Sequence, residues 1–285
     1  MSLRDYINDS FTIEVNSRLK IRLSEELASN YRDGLYDKYL EHINRSIEVI
    51  DTLDIRYPGG AKPIYYLYIV PLKDADLLDI PSNFRGSNGG AKPVSSFDLD
   101  GFNSAYGLTE NICLREEFGM QAEINTIHEL IHLVNSMFFN KDRYINEGIA
   151  EAVPYYALDY ENKWDPHRNV LTSLKEEEIK SIKELIKEGR DGSYGNTGVE
   201  GKPGCTFRYS YISSYLACAS ILDHIKEKYM IEKKDTPQIL FETLRSNKNY
   251  CEDLVKELSD ALGMDYDTLY EKKDIQIEYI KKLKR

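Results

Sequence analysis

The sequence predicts an α+β fold with two lobes, the first mixed α/β with a small sheet and the second mainly helical. Residues 11–23 alternate apolar and polar side chains, and residues 64–70 are dense in β-forming side chains. Both stretches are therefore expected to form strands, and the second a central strand. After residue 151 the chain becomes mainly helical. We place the lobes at residues 1–135 and 136–285.

Helical periodicity predicts most of the remaining elements. A long helix is expected over about residues 25–53, where apolar side chains recur at helical spacing. His42 lies on this apolar stripe, and we interpret it as a packed core histidine rather than a ligand. Residues 173–176 have the capping-box pattern Ser-x-x-Glu, which predicts the start of a helix that reaches about residue 187. Later helices are predicted over about residues 207–229, 237–244, 252–262 (ended by Gly263) and from 266 onward.

Composition and charge restrict the classes of function. The chain has 285 residues, of which 41% are hydrophobic and 30% charged, as in ordinary soluble proteins. No apolar run approaches the length of a membrane span. A net charge of −11 argues against a nucleic-acid partner, because phosphates require a basic surface. The four cysteines are scattered without C-x-x-C spacing, which indicates free thiols in a reducing compartment, so we expect a cytoplasmic protein.

Residues 128–132 form the most specific motif of the chain, H-E-x-x-H. In a helix, His128 and His132 lie one turn apart on the same face, so both imidazoles can bind one tetrahedral Zn²⁺. Glu129 can then reach the water on that metal. Apolar residues around the motif supply the stripes of a buried helix: Ile124, Ile127, Leu130, Ile131, Leu133 and Val134. The alternative is a core helix that happens to carry two histidines.

A catalytic zinc site usually has a third protein ligand and leaves the fourth position open. Glu147 follows His132 by 15 residues, enough for one helix to end and a second to return. On that second helix Glu147 and Glu151 are one turn apart, so Glu147 is the expected ligand and Glu151 the outer carboxylate that accepts an imidazole N–H. Asp142 is a weaker rival ligand, and the alternative for both glutamates is an exposed acidic helix face.

H-E-x-x-H followed by N-E-G-x-A-E resembles the gluzincin metallopeptidases, the superfamily of thermolysin and of the aminopeptidase N and leukotriene-hydrolase enzymes. The resemblance implies a zincin-like fold with the active site between the two lobes and one Zn²⁺ per chain. It also implies Glu147 as third ligand and Glu151 as its outer-shell neighbour. The longer pattern H-E-x-x-H-x-x-G-x-x-H is absent, since Asn135 and Phe138 occupy its glycine and third histidine positions.

The implied reaction is hydrolysis of a peptide bond by metal-activated water, with Glu129 as general base and a peptide or protein as substrate. Gluzincins stabilise the oxyanion with a tyrosine or histidine from a downstream helix. Tyr209, Tyr211 and Tyr215 lie in such a segment here. We favour Tyr209, with Tyr211 next. The alternative is that all three are packed tyrosines, because the chain has 22 of them.

A short predicted strand at residues 111–115 precedes the motif helix and corresponds to the gluzincin edge strand on which a peptide substrate pairs. Residues 107–111 resemble the G-x-M-E-N stretch of the aminopeptidases, although the methionine is missing. The resemblance makes Glu110 a candidate anchor for a substrate α-amine; otherwise it is a loop carboxylate. The candidate substrate-binding residues are Glu110, Asn111, Ile112 and Cys113.

Two other functions remain open from the sequence. One is a zinc-bearing scaffold or binding protein that keeps the site without turnover. The other is a metal hydrolase that acts on something other than peptides, because H-E-x-x-H activates water without selecting the bond. The choice between exopeptidase and endopeptidase, and the oligomeric state, also remain open.

Overall fold

The computed structural model divides the chain into two units, Met1–Leu133 and Val134–Arg285. Every strand that the structure describes lies in the first unit, and the described elements of the second unit are helical. The predicted α+β class is thus confirmed. Among the described residues, each helix is too short or too polar to cross a lipid bilayer. The structure describes residues 5–6, 9–53, 64–78, 91–94, 103–109, 123–124, 126–128, 130–132, 143–161, 165, 167–190, 205–244 and 251–285.

The described part of the first unit contains a sheet with the strand order β1-β2-β3-β5-β4. Strand β3 is central in this sheet, as the β-rich composition of residues 64–70 predicts, and it pairs in parallel with β2 and β5. Both edge strands pair antiparallel with their neighbours. Parallel pairing of β2 with β3 requires a crossover, and two helices supply it. The strands are β1 (Phe11–Glu14), β2 (Leu19–Leu23), β3 (Ile64–Val70), β4 (Ala91–Val94) and β5 (Asn103–Thr109).

The crossover consists of α1 (Glu25–Arg32) and α2 (Asp37–Thr52), so the prediction of one continuous helix is wrong. The break lies at Gly34, whose φ is +74°. The Leu35 N–H donates to the Asn30 carbonyl across 3.0 Å, the 6→1 bond that ends a helix at a left-handed residue. Beyond the break, α2 buries a stripe at spacings of three and four: Tyr39, Leu40, Ile43, Ile47 and Ile50.

Both histidines of the H-E-x-x-H motif lie on a helix, α3 (residues 123–132), in which every described position is helical. The second unit then contains a series of helices that agrees closely with the prediction from residue 205 onward. The predicted last helix is divided in two. These helices are α4 (Arg143–Ala157), α5 (Arg168–Leu171), α6 (Ile182–Arg190), α7 (Cys205–Tyr229), α8 (Thr236–Leu244), α9 (Cys251–Leu262), α10 (Tyr266–Tyr270) and α11 (Asp274–Leu283).

Two helix ends of the second unit test predictions from local sequence. Gly263 ends α9 with φ +56°, as expected from its position after the last periodic residue. The capping box, however, is not at residues 173–176. The Ser181 hydroxyl accepts from the Glu184 N–H and the Glu184 carboxylate accepts from the Ser181 N–H, at 3.3 and 2.7 Å, just before α6.

Helices α4 and α7 pack against each other unusually closely at Gly148. A Cβ added there would lie 2.6 Å from the Ser214 carbonyl oxygen and 2.7 Å from the Cys218 Sγ. Two fully buried alanines follow on α4, and the Tyr156 hydroxyl donates to the Ala219 carbonyl across 2.9 Å. The glycine of the N-E-G motif is therefore required by packing, because only a residue without a side chain allows this approach.

Gly148→Ala is expected to destabilise the protein. The added methyl group must displace backbone or a buried thiol, which typically costs roughly 1–3 kcal/mol. At an uncrowded helical position the same change would instead stabilise by up to about 1 kcal/mol. Urea unfolding separates the two cases, since the expected midpoint is lower than that of the wild type and a higher midpoint contradicts the close packing.

Lys233 lies over the carboxyl end of α4, in the short 3₁₀ helix Lys233–Asp235. Its Nζ is 3.3 Å from the ring centroid of Tyr155 and 4.8 Å from that of Tyr156. The ammonium donates to the Tyr160 carbonyl across 2.5 Å, three residues after α4 ends, while it lies on aromatic faces. Burial lowers the pKa of Lys233 to about 7, and the Asp165 carboxylate opposes this shift only in part.

This lysine predicts a pH dependence of stability. The unfolded chain has an ordinary lysine pKa of about 10.5 and so binds more protons than the folded protein between about pH 7 and pH 10. The free energy of unfolding should therefore rise with pH across this window, and below pH 7 the full cost of burying the charge is present. In Lys233→Met, the free energy of unfolding measured from unfolding curves at several pH values should not show this rise. Lys234→Met, which removes an exposed neighbour, should retain it; equal slopes in both variants contradict the prediction.

Candidate metal centre

Helix α3 presents its two histidines on one face. Ile127, Leu130 and Ile131 are buried, as their spacing of three and four predicts. His128 and His132 lie one turn apart on the half-exposed face. The local sequence thus sorts apolar side chains into the core and leaves both imidazoles accessible to a ligand.

The two imidazoles converge on one point. Their Nε2 atoms are 2.9 Å apart, and the rings meet edge to face at 85°. Two nitrogens that bind one tetrahedral zinc ion at about 2.0–2.1 Å are separated by roughly 3.3 Å. A small opening of the observed pair therefore suffices to place both lone pairs on a shared ion.

Glu147 completes the group. The ligand atoms of His128, His132 and Glu147 all lie within 4.8 Å of one another, which no other set of three His, Cys, Asp or Glu side chains achieves among the described residues. The Glu147 side chain belongs to α4 and is only 9% exposed. Two neutral imidazoles and one carboxylate form the His₂Glu donor set of catalytic zinc sites that leave one position open. The residues present therefore fit a zinc ion.

The amino end of helix α3 contacts helix α2 through side chains. The buried Glu123 accepts from Arg45 NH1 across 3.2 Å and lies 3.2 Å from the His42 Nδ1. His42 is not the fully packed core histidine that the sequence predicts: its side chain is 19% exposed and its imidazole lies against the Glu123 carboxylate. These contacts support the helix five residues before His128, because a buried carboxylate requires compensating partners.

On α4, Glu151 contacts an imidazole that the sequence did not single out. Its Oε2 lies 3.3 Å from the His167 Nε2. The prediction was that Glu151 accepts an N–H from the histidines of the motif, and this remains a prediction. The observed partner, His167, follows Glu151 by 16 residues and precedes α5.

His167 belongs to a cluster of buried polar groups around Asp165. One Asp165 oxygen accepts from the hydroxyls of Tyr215 and Tyr279 across 2.6 and 2.8 Å. The other accepts from the His167 backbone N–H across 2.8 Å. The ring of His167 also meets the Tyr215 ring edge-on, with 4.6 Å between centroids. Burial raises the pKa of both tyrosines and the Asp165 charge adds to this, so both hydroxyls remain protonated donors.

The three tyrosine candidates for the oxyanion donor differ in how the structure describes and buries their side chains. Tyr215 is buried with its hydroxyl on Asp165, so it serves the polar cluster and is not accessible as an oxyanion donor. Tyr211 is half-buried one turn earlier on α7. Tyr209 lies on the same helix, but its side chain is outside the described part.

Several predicted residues lie outside the residues that the structure describes. They are Glu129, the rival ligand Asp142 and the substrate-binding candidates Glu110, Asn111, Ile112 and Cys113. Their roles stay predictions. Conversely, sequence analysis missed His167 and Asp165. No spacing rule relates them to α4, and only an Asp-x-His pair in a loop marks them.

Comparisons with protein-family models, curated proteins and solved structures found no match. The resemblance to gluzincins therefore rests on the two sequence motifs alone.

Glu147→Gln is expected to abolish stoichiometric zinc binding, because the neutral amide is a poor substitute for a carboxylate ligand. Metal analysis after dialysis should give one zinc per chain for the wild type and much less for the variant. Glu242→Gln, which changes an exposed carboxylate on α8, should bind zinc like the wild type. Undiminished zinc in Glu147→Gln would reassign the third ligand.

Proposed function

We propose that this protein is a zinc-dependent peptidase of the gluzincin type, with His128, His132 and Glu147 as the metal ligands. The observation that carries the proposal is the approach of these three ligand atoms to within 4.8 Å. The three residues come from the two motifs that resemble gluzincins. A two-lobed zincin-like fold with the active site between the lobes is part of this proposal.

The chemistry follows from the residue types. A zinc ion bound to this donor set would supply a Lewis acid that activates water at neutral pH and polarises a carbonyl. Glu129 follows His128 directly, and its carboxylate would accept the proton of the attacking water and later deliver it to the leaving amine nitrogen. A hydroxyl from α7, with Tyr209 preferred, would donate to the tetrahedral oxyanion, a contribution typically worth roughly 3 kcal/mol.

The same donor set, two histidines and one carboxylate, also occurs in iron(II) oxygenases. The motif favours hydrolysis over this alternative, because it places a glutamate beside the first ligand, where a general base is needed and a fourth metal ligand is not. Metal analysis distinguishes the two, since iron in place of zinc in the purified protein would contradict the proposal.

Glu129→Gln is expected to retain zinc and to lose hydrolysis, because the amide preserves shape but cannot accept a proton. Zinc content and cleavage of a broad peptide library should be measured on the same preparation. Full turnover by this variant would refute the general-base role, and absence of cleavage by the zinc-loaded wild type would indicate a binding protein or a non-peptide substrate.

The position of cleavage can be tested with the same library. Peptides with an acetylated amino terminus should resist cleavage if Glu110 holds a free α-amine, and they should be cut equally well by an endopeptidase. This comparison decides between the two kinds of peptidase without further structural information.

A further inference from the structure

Glu151, one turn after the proposed ligand Glu147 on α4, contacts His167. We propose that His167 is a positioning residue: by holding Glu151, it fixes a carboxylate one turn after Glu147 and thereby strengthens metal binding. This inference rests on the proposed function, because it concerns the affinity of that same site.

The first step is the position of Glu151. Residues four apart on a helix lie on the same face, so the Glu151 side chain is the next carboxylate along α4 from the ligand Glu147. Its Oε2 lies 3.3 Å from the His167 Nε2, and the two side chains are 25% and 19% exposed. A carboxylate in partial contact with solvent has several rotamers within reach. The imidazole favours the rotamer that makes this contact.

The second step is the rigidity of His167 itself. The residue is held at its backbone N–H by Asp165, and its ring lies edge-on against Tyr215. Asp165 is in turn held by hydroxyls from α7 and α11. Buried and mutually hydrogen-bonded groups therefore hold the His167 Nε2 against Glu151. Because the His167 side chain is already ordered, it loses little conformational entropy when the site binds a metal ion.

The third step is the consequence for a dication. Groups that orient the surroundings of a metal ligand typically change metal affinity by roughly 10- to 100-fold when they are removed. A fixed carboxylate near the ligand also contributes a favourable potential for a dication, and more so when it is partly shielded from water. A residue that only stabilised the loop around residue 167 would affect unfolding without affecting the affinity of the folded protein.

The test measures the zinc dissociation constant of the full chain by competition with a chelator. Folding of each variant is checked by circular dichroism. His167→Leu should bind zinc roughly 10- to 100-fold more weakly than the wild type. His167→Gln, whose amide can still donate to Glu151, should return most of the affinity. His224→Leu removes another half-buried histidine of the second unit, on α7, and should leave the affinity unchanged.

A double-mutant cycle shows whether His167 acts through Glu151. Glu151→Gln should weaken zinc binding by a factor similar to that of His167→Leu, and the double variant should be no weaker than either single one. If His167→Leu does not fold, Glu151→Gln and the rescue by His167→Gln still decide the question. An unchanged affinity in Glu151→Gln, or independent losses that multiply in the double variant, would overturn the positioning role.

The outcomes also separate this inference from the proposed function. If the wild type binds zinc and Glu147→Gln does not, whereas His167→Leu binds zinc like the wild type, the metal centre is supported and the positioning role of His167 is refuted. If the wild type binds no zinc, the proposed function and the role of His167 are both refuted.

Discussion

The close contact between α4 and α7 is the constraint on which the second unit depends. Because Gly148 has no side chain, the α4 backbone lies directly against the Ser214 carbonyl. This contact fixes the rotation of α4 about its axis. Glu147 precedes the contact and Glu151 follows it by one turn of helix, so both carboxylates take their direction from the same packing.

The interior of the second unit also contains a cluster of polar groups around Asp165. A buried carboxylate such as Asp165 is costly unless donors surround it, and here two hydroxyls and one backbone N–H do so. The donors come from α7, α11 and the segment before α5. The polar cluster therefore specifies how these elements meet, which apolar packing alone does less strictly. His167 extends the cluster to Glu151 on α4.

Predictions from the sequence succeeded where the physical cause was local. The β-rich residues 64–70 form the central strand, and the helix that ends at Gly263 ends there because glycine adopts positive φ without strain. They failed where two local signals competed. Apolar periodicity over residues 25–53 hid the break at Gly34, and the Ser-x-x-Glu pattern occurs twice, at 173–176 and at 181–184. Only the second begins an α-helix, since the chain after the first forms a 3₁₀ turn.

The sequence by itself determined that His128 and His132 share one face of a helix, because a spacing of four residues is set by backbone geometry alone. It also predicted Glu147, from its separation of 15 residues from His132 and from the motif resemblance. Only the tertiary structure decided that Glu147 reaches the imidazoles and that Glu151 meets His167. These contacts join residues that are 15 and 16 positions apart in the sequence, so backbone geometry within one helix cannot set their distances.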